Sequence, residues 1–264
     1  MKRTIASCLG LCTSAVLAIT ATLTATPATA EEQVWVRIHD DAAAAGLERV
    51  VNTSRLEDYG SFFWGPVSAE ERAGLERMGL RLSVSENPYL IVLGGERIDL
   101  SGAANRNTAR IPDPDGDWHL VQFDGPVRPE WLQSLAASGV RVAQPVHPFG
   151  YYVWAEGDQA LAMSTATELR WSGPMRPQWK LQPHLRNFGS EIRPTMALAS
   201  AHADRSRLLS ELDELGTVRA ITALNTHFDI IHIDLPGDRY ERLAELPAIF
   251  TVQYIRPEMG PRGE

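Results

Sequence analysis

The sequence predicts an α+β protein of tandem ferredoxin-like units, each a β-α-β-β-α-β run with an antiparallel sheet and its helices on one face. A helix–glycine–strand pattern recurs three times, and matching strands flank two of those copies. Strand residues alternate apolar with polar, as Ile231 and Ile233 do against His232 and Asp234, which fits a sheet with one wet face.

The chain opens on a secretory leader. Lys2 and Arg3 precede an apolar run from Cys8 to Ile19, and Ala28-Thr29-Ala30 supplies a cleavage pattern before the polar Glu31-Glu32. A retained anchor is the rival reading, but threonines and Ser14 dilute a run that needs about 20 strongly apolar residues. Ile5-Ala6-Ser7-Cys8 looks like a lipid-attachment box but lies ahead of the apolar run, where such a box does not belong. The chain is therefore expected to be secreted or periplasmic after cleavage near Ala30. No second stretch is apolar and long enough to span a bilayer, so no membrane association is expected after cleavage.

Residues 31–100 read as a first, incomplete α/β repeat. Val34 to Ile38 is its opening strand, and an irregular stretch with an extra helix near Leu47 to Val51 leads to Phe62-Phe63-Trp64. Ser68 and Glu71 have capping-box spacing for a helix over Ser68 to Met78, followed by Gly79 and a strand at Leu80 to Val84. No second helix is visible after Leu90 to Leu93. Residues 101–117, rich in Gly, Asn, Pro and Asp, read as a linker.

Residues 118–183 read as a full unit. Its strand Trp118 to Phe123 precedes a helix from Pro129 to Ser138, Gly139, a hairpin, a short helix near Asp158 to Met163 and a last strand at Leu169. Residues 190–257 repeat this order, with a strand at Pro194 to Ala199, a helix from Arg205 to Leu215, Gly216, a hairpin, a helix near Asp238 to Ala244 and the strand Phe250 to Tyr254. Each glycine stands where a helix commonly ends on a left-handed residue. Residues 258–264 form a C-terminal tail.

Composition and motifs narrow the chemistry. Both cysteines, Cys8 and Cys12, lie in the leader, so the mature chain has no disulfide and no thiol nucleophile. The net charge of −8 drops by two more once Lys2 and Arg3 are removed, which argues against nucleic acid as a partner. There is no Gly-x-Ser-x-Gly elbow, no His-Glu-x-x-His and no phosphate loop. His227 and Asp229 make at most half a metal site, so no metal and no cofactor is expected. Asn52-Thr53-Ser54 matches a glycosylation sequon. Trp131 and Trp154 read as core, while Trp179, in the loop Met175 to Lys180, is the candidate contact aromatic.

The stretch from Trp118 to Lys180 resembles the N-terminal region of certain secreted bacterial subtilases. The likeness is carried by His119 to Val127, Trp131-Leu132 through Gly139-Val140, and Leu169 to Pro174. Residues 190–257 are similar to a subtilisin-type propeptide domain. The resemblance implies propeptide-type domains that assist folding of a subtilisin-like serine peptidase, in cis or in trans, and inhibit it through a C-terminal tail. Carried over, that tail is Ile255, Arg256, Pro257, Glu258 and Met259. The catalytic Asp, His and Ser motifs are missing from this chain, so it is not expected to be an enzyme itself. Two other classes stay open. Exposed aromatics on one sheet face of the second and third units, with a disordered tail, would favour a secreted binding or adhesion module, and clustering of His119, His147, His184 or His227 with acids in one cleft would favour an unfamiliar enzyme.

Overall fold

The computed structural model describes residues 33–39, 46–102 and 113–255. The leader, most of the linker and residues 256–264 lie outside the described residues. The protein is α+β, with three four-stranded antiparallel sheets and one two-stranded hairpin.

The first sheet comprises β1 (Gln33–His39), β2 (Glu57–Asp58), β3 (Phe62–Ser68) and β4 (Leu82–Ser85), with α1 (Ala69–Arg77) between β3 and β4. Val36 and Ile38 of β1 alternate inward onto Val67 and Leu75, while Trp35 and Arg37 face the other side. Short 3-10 turns at Leu47–Arg49 and Thr53–Arg55 stand between β1 and β2. The strand order β2-β3-β1-β4 is that of a complete ferredoxin-like sheet. The sheet has all four strands, while among the described residues only 3-10 turns stand in the place of the first helix. The fold is two β-α-β halves, so a helix–glycine–strand signal fits either half. Here α1 is the second helix and leads to the fourth strand, not the second. Leu90 to Leu93 belongs to a separate hairpin, β5 (Leu90–Leu93) and β6 (Glu96–Asp99), closed by Gly94 and Gly95 at positive φ.

Ser68 starts α1 through the capping box read from the sequence. Its hydroxyl accepts from the Glu71 N–H (3.2 Å), and the Glu71 carboxylate accepts from the Ser68 N–H (2.8 Å). Burial alone would raise the Glu71 carboxyl, but the N–H groups of Ser68 and Asn52, together with Arg55, hold it below its usual value. A lowered folded value means stability that is complete above the unfolded pKa, about 4.3, and is lost as the pH falls through the folded value. The wild type should therefore melt above Glu71→Gln at pH 7, with the gap closing below about pH 4. Melting curves across that range check this; a gap that stays constant from neutral pH into acid contradicts it.

The second sheet contains β7 (Asp117–Phe123), β8 (Arg141–Val146), β9 (Gly150–Ala155) and β10 (Leu169–Pro174), in the order β10-β7-β9-β8. Its helices are α2 (Pro129–Ala137) and α3 (Gly157–Met163). Val121, Phe123 and Val153 face those helices and meet Leu135, Ala160 and Met163. Beyond β10 come α4 (Pro177–Lys180) and a 3-10 turn at Pro183–Asn187. The third sheet contains β11 (Ile192–Ser200), β12 (Thr217–Ala223), β13 (Phe228–Pro236) and β14 (Ile249–Tyr254), in the order β12-β13-β11-β14. Its helices α5 (Arg205–Asp213) and α6 (Tyr240–Glu245) set Leu208, Leu212 and Leu243 on Ala197, Ile231 and Ile233.

Two sequence expectations change. Gly79 and Gly139 do take positive φ after their helices, but Gly216 does not. A Cβ at Gly216 would lie 2.4 Å from the Asp234 carbonyl oxygen, so that glycine serves close approach to β13. The second sheet is also not wet on one face at its centre, since all seven residues of β7 are buried. Trp118, Leu120 and Trp154 point away from α2 and α3 into the core of the third unit. Trp118 stacks on Phe228 at 5.0 Å and meets Phe250 at 4.9 Å, and its Nε1 donates to the Ala248 carbonyl (3.1 Å). Aromatic area therefore joins the two units rather than only filling one.

Candidate functional site

Ile255 follows β14, and its N–H donates to the Pro194 carbonyl (3.2 Å). Arg256, Pro257, Glu258 and Met259 lie outside the described residues. Trp179 does not serve as a contact aromatic. It is 6% exposed within α4, lies under Arg176 and donates from Nε1 to Glu96 (3.1 Å). A Pro177 start turned the expected loop into a helical turn and drew the indole against the β5–β6 hairpin.

The histidines do not converge on one cleft. His119 is buried in β7, His184 stands in the 3-10 turn at Pro183–Asn187, and His147 lies in the β8–β9 turn. His227 meets the His202 ring at 5.7 Å, and Asp229 pairs with Arg205 (3.0 Å) instead. No group of three metal-capable side chains occurs among the described residues. Asn52 of the sequon accepts at its side chain from the Ser54 N–H (3.2 Å) and so caps a 3-10 turn. No helix among the described residues is long and apolar enough to cross a membrane.

The concave surface with the most to offer was not among the predicted sites. It lies where the outer face of the first sheet meets the β8–β9 turn. Strand pairing puts Arg37, Trp64 and Ser83 on one face, since Arg37 is opposite both of the others. Two adjoining clefts, of about 350 and 410 Å³, share Arg37, His147 and Phe149 as lining. Those volumes are of the size that holds small ligands or short peptide segments.

The walls are aromatic and fixed. Phe149 packs edge-on against Trp64 at 5.2 Å, and Trp64 stacks on Trp35 at 5.4 Å. Phe149 takes φ 54, a left-handed conformation that is unusual for a bulky residue. Its carbonyl accepts from the Phe123 N–H (2.9 Å), which anchors the turn. Tyr59 stacks on Phe62 at 4.7 Å under the Arg128 guanidinium. Burial, aided by Glu57, pushes the Tyr59 hydroxyl up to about 12, so it stays protonated and donates to Glu57 (3.2 Å).

The charges are uneven. Among the described residues, neither cleft has an aspartate or glutamate in its lining. The Arg37 guanidinium lies 4.3 Å over the Phe62 ring, and no carboxylate among the described residues lies within ion-pair range of it. His39 Nε2 and Ser83 Oγ are 2.9 Å apart on the same open face. No carboxylate among the described residues pairs with that imidazole.

This architecture defines a protein of tandem ferredoxin-like units with a groove between the first two whose described lining holds no acid. Residues 92–176 match the family model described as a domain of unknown function (DUF8729), a match that takes in the second sheet and its helices and less than half of the chain. No curated protein matches. A solved structure of a Thermus thermophilus protein is similar over 85% of this chain and 40% of its own, at 12% identity and a TM-score of 0.18. The chain thus spans less than half of that protein's length.

Proposed function

We propose that the chain is a secreted, non-catalytic, propeptide-like module that binds a subtilisin-type serine peptidase, in cis or in trans, and assists or inhibits it through the segment from Ile255 to Met259. The position of β14 carries this reading. It is an edge strand of the third sheet, so the chain leaves that sheet at its rim, past Ile255, beside a sheet face that is partly open. On that face Pro194, Ala220 and Thr222 are exposed, and Met196, Ile230 and His232 are half-buried. Such a mixture of small and apolar side chains suits docking against a second protein. An extended tail entering an enzyme's cleft gains main-chain hydrogen bonds there, and a rigid domain holding its root limits the entropy lost.

The test is titration of a subtilisin-type peptidase, with a chromogenic peptide substrate, by the full chain and by a chain ending at Ile255. Competitive inhibition by the full chain that falls at least tenfold, about 1.4 kcal/mol, on truncation is the expected result. Equal inhibition by both chains, or none by either at large molar excess, defeats the proposal. The groove between the first two units favours a second reading, a secreted binding module without a peptidase partner. Its aromatics come from both units, Trp64, Tyr59 and Phe62 from the first and Phe149 and Tyr151 from the second.

A further inference from the structure

We propose that His202 and His227 form an acid-sensitive latch at the joint between the second and third units, closed while both imidazoles are neutral and loosened when His202 takes up a proton. The inference uses residues remote from the tail and does not depend on the peptidase reading.

The fit of the two rings is the first observation. His202 stands in the connection between β11 and α5, and His227 in the turn between β12 and β13. The rings meet edge-on, with centroids 5.7 Å apart. Main-chain groups fix both segments. The Ala201 N–H donates to the His227 carbonyl (3.0 Å), the His202 N–H to Ser200 Oγ (3.2 Å) and the His227 N–H to Asn225 Oδ1 (2.8 Å). The next residue, Phe228, carries the stack on Trp118 of the second unit, so the pair borders the aromatic contact that joins the units. His202 Nε2 and His227 Nδ1 are buried with no hydrogen-bond partner among the described residues. A neutral imidazole can leave one nitrogen without a proton, whereas an imidazolium must donate from both. A buried, charged N–H without an acceptor is costly. The contact therefore suits neutral rings and not charged ones.

The surrounding charges are the second observation. Across the joint His202 is faced by Arg141 at the start of β8 and by Glu156 ahead of α3, and within its own unit by His227. Burial holds its imidazole below the ordinary histidine value, Arg141 and His227 add to that, and Glu156 works the other way without offsetting them. The Glu156 side chain is also occupied in capping α3. Acids on the adjoining segments are engaged as well. Asp204 accepts from the Arg207 N–H (2.7 Å), and Asp229 pairs with Arg205 (3.0 Å). A base whose value is lowered in the folded state leaves stability whole above its unfolded value, about 6.5. It weakens the fold as the pH drops from there toward the folded value, because the opened form binds the proton. The cost falls on the joint, since Arg141 and Glu156 belong to the second unit and both imidazoles to the third. Protonation of packed histidines is a general way to bias such an interface.

The experiment compares the full chain with His202→Gln, which cannot take up a proton, and with Arg141→Gln at an exposed position. Urea unfolding and acrylamide quenching of tryptophan emission are read at about pH 7.5 and about pH 5, above the range in which Glu71 titrates. Over that interval the unfolding constant of the wild type should rise at least about fivefold more than that of His202→Gln. Arg141→Gln should fall between them, because it removes one of the charges that oppose the proton. Quenching should rise roughly twofold in the wild type, with the circular dichroism spectrum preserved, as Trp118 and Trp154 at the joint become accessible. It should stay flat in His202→Gln. Ring-proton resonances should show His202 titrating below about 6.5. An equal pH response in the wild type and His202→Gln, a His202 midpoint at or above about 6.5, or quenching that rises only as secondary structure is lost overturns the proposal. Should His202→Gln fail to fold, Arg141→Gln decides alone, and a pH response equal to that of the wild type overturns the latch.

Discussion

Trp118→Ala should destabilise the protein by about 3–5 kcal/mol, among the largest effects of any single truncation here. The indole is fully buried and stands at the joint of the second and third units. It leaves three ring neighbours, Trp154 at 5.6 Å, Phe228 at 5.0 Å and Phe250 at 4.9 Å. Alanine forfeits that contact area and leaves a cavity that a joint between two sheets closes poorly. It also leaves the Ala248 carbonyl without its indole donor. Trp118→Phe narrows the contributions, since it keeps one aromatic ring while losing the N–H and part of the indole; about 1–3 kcal/mol is expected from that carbonyl and the smaller ring. Urea unfolding of the three proteins decides it. A loss below about 1 kcal/mol for alanine would mean that the two units are not joined through this side chain.

The same residue shows how far the sequence could be read. The order of strands and helices in the second and third units was legible because helix, strand and turn signals are local. The alternation at Ile231 to Asp234 and the Pro129 helix start are properties of neighbouring residues. The destination of the apolar side chains was not legible. Trp118 and Val121 look alike as strand hydrophobes, and only the packed units reveal that one faces its neighbour and the other faces α2 and α3. The first unit was misframed for a related reason, because α1 with Gly79 carries a signal common to both halves of the fold. The groove was the least legible feature. Arg37, Ser83, His147 and Phe149 come from three distant stretches of chain, and no spacing rule links them. One local signal did exist, an arginine alternating with Val36 and Ile38 on a strand, which places a cation on the outer face of an otherwise apolar run.

The β5–β6 hairpin offers the second large effect, and the expected cost is steric. Gly94→Ala should destabilise the protein by about 2–4 kcal/mol. Gly94 has φ +55, and a Cβ there would lie 2.3 Å from the Gln178 carbonyl oxygen and 3.1 Å from the Trp179 Cα. Both obstacles are backbone of α4, which cannot swing aside as a side chain would. The Arg186 guanidinium clamps the two partners by donating to the carbonyls of Gly94 (3.0 Å) and Gln178 (2.9 Å). Trp179 adds its bond to Glu96 from the other side of the contact. Gly79→Ala is the matched control. Its φ is +76, but nothing lies within 4 Å of the added Cβ, so it carries conformational strain alone, about 1 kcal/mol. Chemical denaturation of both variants measures the difference, and the Trp179 environment reports where it arises. Equal losses at the two glycines would show that the hairpin is not seated on α4. A larger loss at Gly94 with altered tryptophan emission is what the close backbone approach requires, because the turn can accept a methyl group only by lifting off the helix that Trp179 occupies.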